Sequence, residues 1–296
     1  MRLDLASVLL QWGVGILAFL WVTTRGRLVS LGYGWLLRGV GVAMLAGSLW
    51  ATLARGEPGA SRTVVVVATV AALLAALIAL VVSVRRRTAG VRAARERAAA
   101  SAARVAGMVA GATSVPVAEE PEASAAPAHP GPEFPPALDL LAPIAGLVAL
   151  FATASTVGGP YALSAYRLVV GALFLGVLTD AMLLGHWYLT QPGLPRDPIR
   201  ELVRLAAPIW VLEVAGLLWP VGMVSVLTGT TSDGYGGILA WMWALSALST
   251  GVLLLVTWLA LRERSYSAVM AATGLLYLAI LTGFGTDVLA RALLAP

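Results

Sequence analysis

Apolar residues in this chain fall into long blocks of about twenty, with neither strand-like alternation nor a one-faced helical stripe. A helix of ~20 apolar residues is what crosses a ~30 Å hydrocarbon core, and eight such blocks can be drawn. The first three run from Leu5 to Thr24, Ser30 to Ala54 and Thr63 to Val84; the third lacks any aromatic and is stopped by Arg85-Arg86-Arg87. The next three run from Leu138 to Val157, ended by Gly158-Gly159-Pro160, from Leu168 to Thr190, and from Ala206 to Thr228. The last two run from Ile238 to Leu261 and from Ser267 to about Leu289. The start, Met1-Arg2-Leu3-Asp4, has one basic residue and no small-residue cleavage site after it, so the first block reads as an anchor and not a signal peptide.

Two segments interrupt the apolar pattern. From Ala89 to Gly111 the chain is Ala-rich, and at helical pitch Arg92, Arg95, Arg97 and Arg104 lie opposite Val91, Ala98, Val105 and Val109. This predicts a basic helix on the membrane surface, drawn to anionic lipids through Arg85 to Arg104, or else a solvated Ala-rich helix. From Ala112 to Pro136 the composition turns to Pro, Ala, Glu and Ser, that of a linker. The expected organisation is a three-span part (1–84), a surface helix (85–111), a linker (112–137) and a five-span part (138–296). Asp197 followed by Pro198 predicts a short capped helix before the sixth span. The fold class expected is all-α: a polytopic integral membrane bundle of about eight helices in a 3+5 arrangement. A three-plus-three inverted repeat is topologically allowed, but no residue pattern supports it.

Composition excludes the soluble alternative. Hydrophobic residues make up 59% of the 296 positions and charged residues 12%, against roughly 45–50% and a quarter in soluble domains. Charge then sets orientation. All twenty basic residues are Arg; fourteen fall in one set of alternate loops (25, 27, the seven from 85 to 104, 196, 200, 204, 262, 264) and five in the other (2, 55, 62, 167, 291). The richer set is cytoplasmic by the positive-inside rule, so both termini are expected outside. Trp12, Trp50, Trp241 and Trp243 then fall near the outer boundary, and Trp21, Trp35, Trp187, Trp210 and Trp258 near the inner one. Exclusive use of Arg with an excess of Ala, Gly and Val reads as a GC-rich bacterial genome, and the location expected is the bacterial inner membrane. The net charge of +5 is spread by topology and signals no nucleic-acid partner.

Missing residue types narrow the chemistry. Without Cys there are no disulfides, Cys-ligated clusters or Cys-held zinc. Without Lys there is no retinal Schiff base and no Lys nucleophile. His129 lies in the Pro-rich stretch, so His186 has no His partner for a bis-His haem, and a haem would need Met182 or Met223 as second ligand. No metal site is expected.

Four ionisable residues fall inside the drawn spans: Arg38, Asp180, His186 and Glu213. Charges at depth are costly and find partners in the bundle interior. Their positions put all four between the midplane and the cytoplasmic surface, which predicts an ion pair of Arg38 with Glu213, or with Asp180. Asp180, Glu213 and His186 are read as a proton relay or polar site, with Trp187 and Tyr188 beside it able to line a quinone site; the rival reading is an ion pair that only fixes packing. Pro220, with Gly216 and Gly222, predicts a break in the sixth span and leaves the Gly216 carbonyl without its helical donor. Gly39, Ala43 and Gly47 form a small-residue stripe that predicts close helix packing. Gly283-Phe284-Gly285-Thr286-Asp287 resembles the Gly-x-Gly-Asp signature of intramembrane aspartyl proteases but has one residue too many.

In span number and terminal placement the plan is similar to quinol-handling membrane anchors of the polysulfide and dimethyl sulfoxide reductase type. The expectation is a haem-free membrane subunit of a bacterial electron-transfer or ion-translocating complex, contacting quinone or conducting protons, with other membrane or redox subunits as partners and a quinone as the one bound cofactor. A small-molecule transporter or exporter, and a structural partner protein with no site, are the alternatives. Whether the chain is itself an enzyme is left open by its residues.

Overall fold

The computed structural model describes residues 4–54, 59–96, 99, 133–190, 194–220, 222–263 and 265–294, and among these there is no strand. Residues 112–132 of the expected linker and the end of the basic helix, with Arg97 and Arg104, lie outside the described residues. The helices are α1 (Leu5–Thr24), α2 (Leu31–Ala54), α3 (Ala60–Arg85), α4 (87–96), α5 (Leu141–Ala154, after a 3₁₀ turn Pro136–Leu140), α6 (Tyr161–Thr190), α7 (Asp197–Leu218), α8 (Met223–Leu227), α9 (Ile238–Ala260) and α10 (Tyr266–Leu293).

Seven of these segments are long and apolar enough to cross a membrane: α1, α2, α3, the 3₁₀ turn with α5, α6, α9 and α10. Apolar helices of this number and length mark a multi-pass membrane protein. The sixth span departs from expectation. Asp197 through Leu218 form one helix that runs past Pro208, so there is no separate short helix before the span, and α7 ends just before Pro220. With Asp197, Arg200, Glu201, Arg204 and Glu213 among its 22 residues, α7 is not among the seven apolar spans. Other helices outrun their predicted bounds, α6 and α10 furthest: α6 starts at Tyr161 and α10 continues to Leu293.

Helices α1 and α6 form the centre. In their most apolar stretches 67% and 78% of residues are buried, against 28–44% in the other five, whose remaining surface is apolar and faces outward. Small residues let the two central backbones touch: a methyl group at Gly15 would lie 1.9 Å from the Ala172 carbonyl oxygen, and one at Gly176 would lie 2.2 Å from the Gly15 carbonyl carbon. The expected stripe in α2 does not pack this way, since Gly39 has nothing near it and the buried face carries Gly34, Gly41 and Ser48 instead. In α3 the buried positions include Ala68, Ala72, Ala76 and Ala79, small residues three or four apart on a helix that packs against α5. Because α5 packs on α3 and α1, the boundary that the linker marks along the chain is not a boundary in space. The second half packs α7 and α10 on α6, with α9 against α10 and α7.

Candidate functional site

Ser7 and Gln11 lie near the start of α1, Arg167 and Gly171 near the start of α6, Glu213 and Gly216 near the end of α7, and Asp287 and Arg291 near the end of α10. These four helix ends share one end of the bundle, and their polar side chains meet inside it. Arg291 Nε donates to Asp287 Oδ2 at 2.8 Å, four residues back on the same helix, and both residues are at most 1% exposed. Arg291 Nη1 donates to Ser7 Oγ at 3.3 Å, which in turn donates to the Asp4 carbonyl oxygen at 2.9 Å. Gln11 Nε2 donates to the Leu168 carbonyl oxygen at 2.9 Å. Gly171 makes room for this gathering, since a methyl group there would sit 2.4 Å from Gln11 Nε2 and 3.5 Å from Asp287 Oδ1. Glu213 is buried within electrostatic reach of Asp287, Arg291 and Arg167.

The break in α7 is part of this site. Pro220 has no N–H to return to Gly216, and Arg167 takes its place: Nε donates to the Gly216 carbonyl oxygen at 2.7 Å. The expected orphan carbonyl is thus capped by a buried guanidinium. Two arginines and two carboxylates balance formally, yet Gln11 Oε1, Glu213 Oε1 and Arg291 Nη2 have no hydrogen-bond partner among the described atoms. Leu217, Met223, Val226, Ala240, Trp243 and Ala290 form a small apolar cluster at the same end, and Trp243 Nε1 is unpartnered within it.

Of the residues expected to form one site, Glu213 alone joins this cluster. Arg38 pairs with neither Glu213 nor Asp180. Its Nε and Nη2 donate to Asp139 Oδ1 and Oδ2 at 2.8 and 2.7 Å, with the guanidinium 4.4 Å from the Phe134 ring centroid. Ser83 Oγ accepts from Arg38 Nη1 at 3.3 Å and from Trp35 Nε1 at 3.0 Å, and Thr24 Oγ1 donates to Asp139 Oδ2 at 3.2 Å. The correction has a simple cause: the 3₁₀ turn places Asp139, the second residue of the drawn fourth span, on the buried side at the level of Arg38.

Asp180 stands by itself. It is completely buried in the middle of α6, and neither carboxyl oxygen has a hydrogen-bond partner among the described atoms. Tyr33 Oη donates at 3.2 Å to its backbone carbonyl, not to the carboxyl. Thirteen residues of α6 separate it from Arg167, or ~20 Å along the axis. His186 is exposed on α6 and meets the Tyr277 ring edge-on at 6.3 Å. Trp187 Nε1 donates to Ser30 Oγ at 2.7 Å, and Tyr188 Oη donates to the Pro195 carbonyl oxygen. Met223 lies in the apolar cluster at the far end from His186, so the two cannot ligate one haem. Two tryptophans expected at the outer boundary point inward: Trp12 Nε1 donates to Thr179 Oγ1 at 2.7 Å, and Trp243 is buried. Among the described residues no three His, Asp or Glu side chains gather as a metal site.

Sequence reasoning missed Asp139, Arg167, Asp287 and Arg291 because it placed them in loops or at span edges. One signal was available, since Asp287 and Arg291 are spaced i, i+4 in a helix-forming stretch. The fold and site define an all-helical, multi-pass membrane protein with a charged interior. No protein-family model, no curated protein and no solved structure matches the chain.

Proposed function

We propose that the chain is a multi-pass protein of a bacterial inner membrane, eight spans with α7 counted, both termini outside, that conducts protons as the haem-free membrane subunit of an ion-translocating or electron-transfer complex. One observation carries this reading: Asp180 is a fully buried carboxyl on the central helix with no partner for either oxygen among the described residues. Such a group weakens a fold whichever form it takes, and intramembrane carboxyls are found along proton paths. Glu213, whose Oε1 has no partner among the described residues, supplies a second carboxyl nearer the outer end. His186 faces away from this interior and is assigned no part. The polar groups of Trp187 and Tyr188 are engaged in the fold, so the proton half of the expectation is favoured over a quinone site at those residues.

The test is proton flux into liposomes, driven by a potassium diffusion potential and read by an internal pH dye, using protein purified with its native partners. D180N and E213Q should lose most of the flux and H186A should keep it. Flux equal to wild type in D180N, or none above empty liposomes in the wild type, would overturn the proposal. A second reading, a small-molecule transporter, is favoured by the broken α7 beside buried charges, an arrangement that lines substrate sites in transporters. Substrate-dependent stabilisation without proton flux would select it.

A further inference from the structure

Helices α7 and α9 leave a groove between them on the outer surface of the bundle, about 650 Å³ in volume and walled by Ala207, Trp210, Val211, Leu248, Val252 and Leu255. Trp210 is fixed by donation from Nε1 to the Ala247 carbonyl oxygen at 3.0 Å. At the cytoplasmic end, by the topology proposed above, the groove shares Val203, Arg204 and Trp258 with a second hollow of about 320 Å³, lined also by Arg200, Leu261 and Arg262. The floor of that hollow is built. Arg262 stacks 3.6 Å from the centroid of the Trp258 ring. Arg200 donates from Nε and Nη2 to the Leu261 carbonyl oxygen at 3.1 and 2.8 Å, tying α7 to the last turn of α9. Arg204 is exposed and has neither hydrogen bond nor ion pair among the described residues. No acidic side chain lines this hollow; Asp197 and Glu201 line an adjoining one with Arg200 and Arg204, and Glu201 is paired with Arg25.

The geometry points to a site for an anionic phospholipid of the cytoplasmic leaflet, with its phosphate on Arg204, Arg262 and Arg200 and one acyl chain in the groove. Length and charge both fit. Hollow and groove together run ~17 Å along α7, from Arg200 to Val211, close to the ~15 Å from the edge to the middle of a hydrocarbon core. Three guanidiniums at its mouth match a phosphate, and basic pockets between helices on this side of a membrane recognise anionic headgroups. None of the residues lining the site belongs to the basic stretch over 85–104. It rests on the membrane placement of α7 and not on proton conduction.

The test uses the purified full-length chain in neutral detergent, with its melting temperature followed as phosphatidylglycerol, phosphatidylcholine or inorganic phosphate is added. Phosphatidylglycerol should raise the melting temperature saturably and the other two should not. R204Q/R262Q, two changes at exposed residues, should weaken the apparent affinity by about tenfold or more, and A207W should block the groove with the arginines intact. D180N, which tests the proton reading, should leave the lipid shift unchanged. An equal shift with phosphatidylcholine, a full shift with inorganic phosphate, or an unchanged R204Q/R262Q would each overturn the inference; if A207W does not fold, the arginine variant decides.

Discussion

Replacing Asp139 by Leu removes both acceptors of the Arg38 fork and leaves the guanidinium buried against Phe134 and Ser83. Arg38 is 2% exposed and Asp139 3%, and the pair is bidentate at 2.8 and 2.7 Å. Removing one member of such a pair costs roughly 3–5 kcal/mol, because the other charge stays behind uncompensated. Ser83 and the Phe134 ring, the latter contact worth about 0.5–2 kcal/mol, already touch Arg38 in the intact protein, so neither offsets the loss. The unfolding equilibrium of D139L should therefore shift by roughly a hundred- to several-thousandfold. Reversible unfolding in mixed dodecylmaltoside–dodecylsulfate micelles measures it. The double variant R38M/D139L removes both charges and keeps apolar volume, so it should recover most of the loss. A D139L protein within about 1 kcal/mol of wild type would refute the pairing as a stabilising feature. So would a double variant no more stable than D139L itself.

Asp233 accepts from the backbone N–H groups of Tyr235, Gly237 and Leu239 at 2.9, 2.8 and 3.0 Å, and these bonds hold its carboxyl below the usual range. A depressed folded pKa gives stability that is present above the unfolded value, about 3.9, and lost as pH falls through the folded value. D233A should therefore lower the melting temperature at pH 7 and make little difference once the wild type has been taken below its own transition; an equal difference at both pH values would contradict this. For topology, Cys placed at Ser155 and Ser232, both exposed, should react with an impermeant thiol reagent in intact cells, while Cys at Ser114 should not. The reverse pattern would invert the orientation.

The helices were legible in the sequence because a membrane span is encoded by length and apolarity alone, and those quantities survive errors of several residues at the ends. The site was not legible because it depends on those ends. Extending α6 by seven residues turns Arg167 from a loop cation into a buried donor, and continuing α10 past Leu289 brings Arg291 inside with Asp287. Stopping α7 at Leu218 moves Glu213 from the cytoplasmic half to the other end of the bundle. Pro220 was readable as a break, and the freed Gly216 carbonyl followed from the missing N–H. Its partner was not, since Arg167 is 49 residues away in sequence.

Partnered and unpartnered charges divide the interior into two kinds of residue. Arg38 and Asp139 join α2 to the chain beyond the linker, and Arg291 joins α10 to α1 through Ser7, 284 residues apart. Each bond holds segments distant in sequence, which is sufficient reason for a buried charge to be retained. Asp180 has no such reason. Its backbone is used by Tyr33 and its neighbour Thr179 by Trp12, so an Asn or a Leu at 180 would leave both contacts standing. A carboxyl that makes no hydrogen bond among the described residues, within the most buried helix, offers the fold nothing that a neutral side chain would not offer at lower cost. What distinguishes it from that neutral side chain is the ability to take up and release a proton.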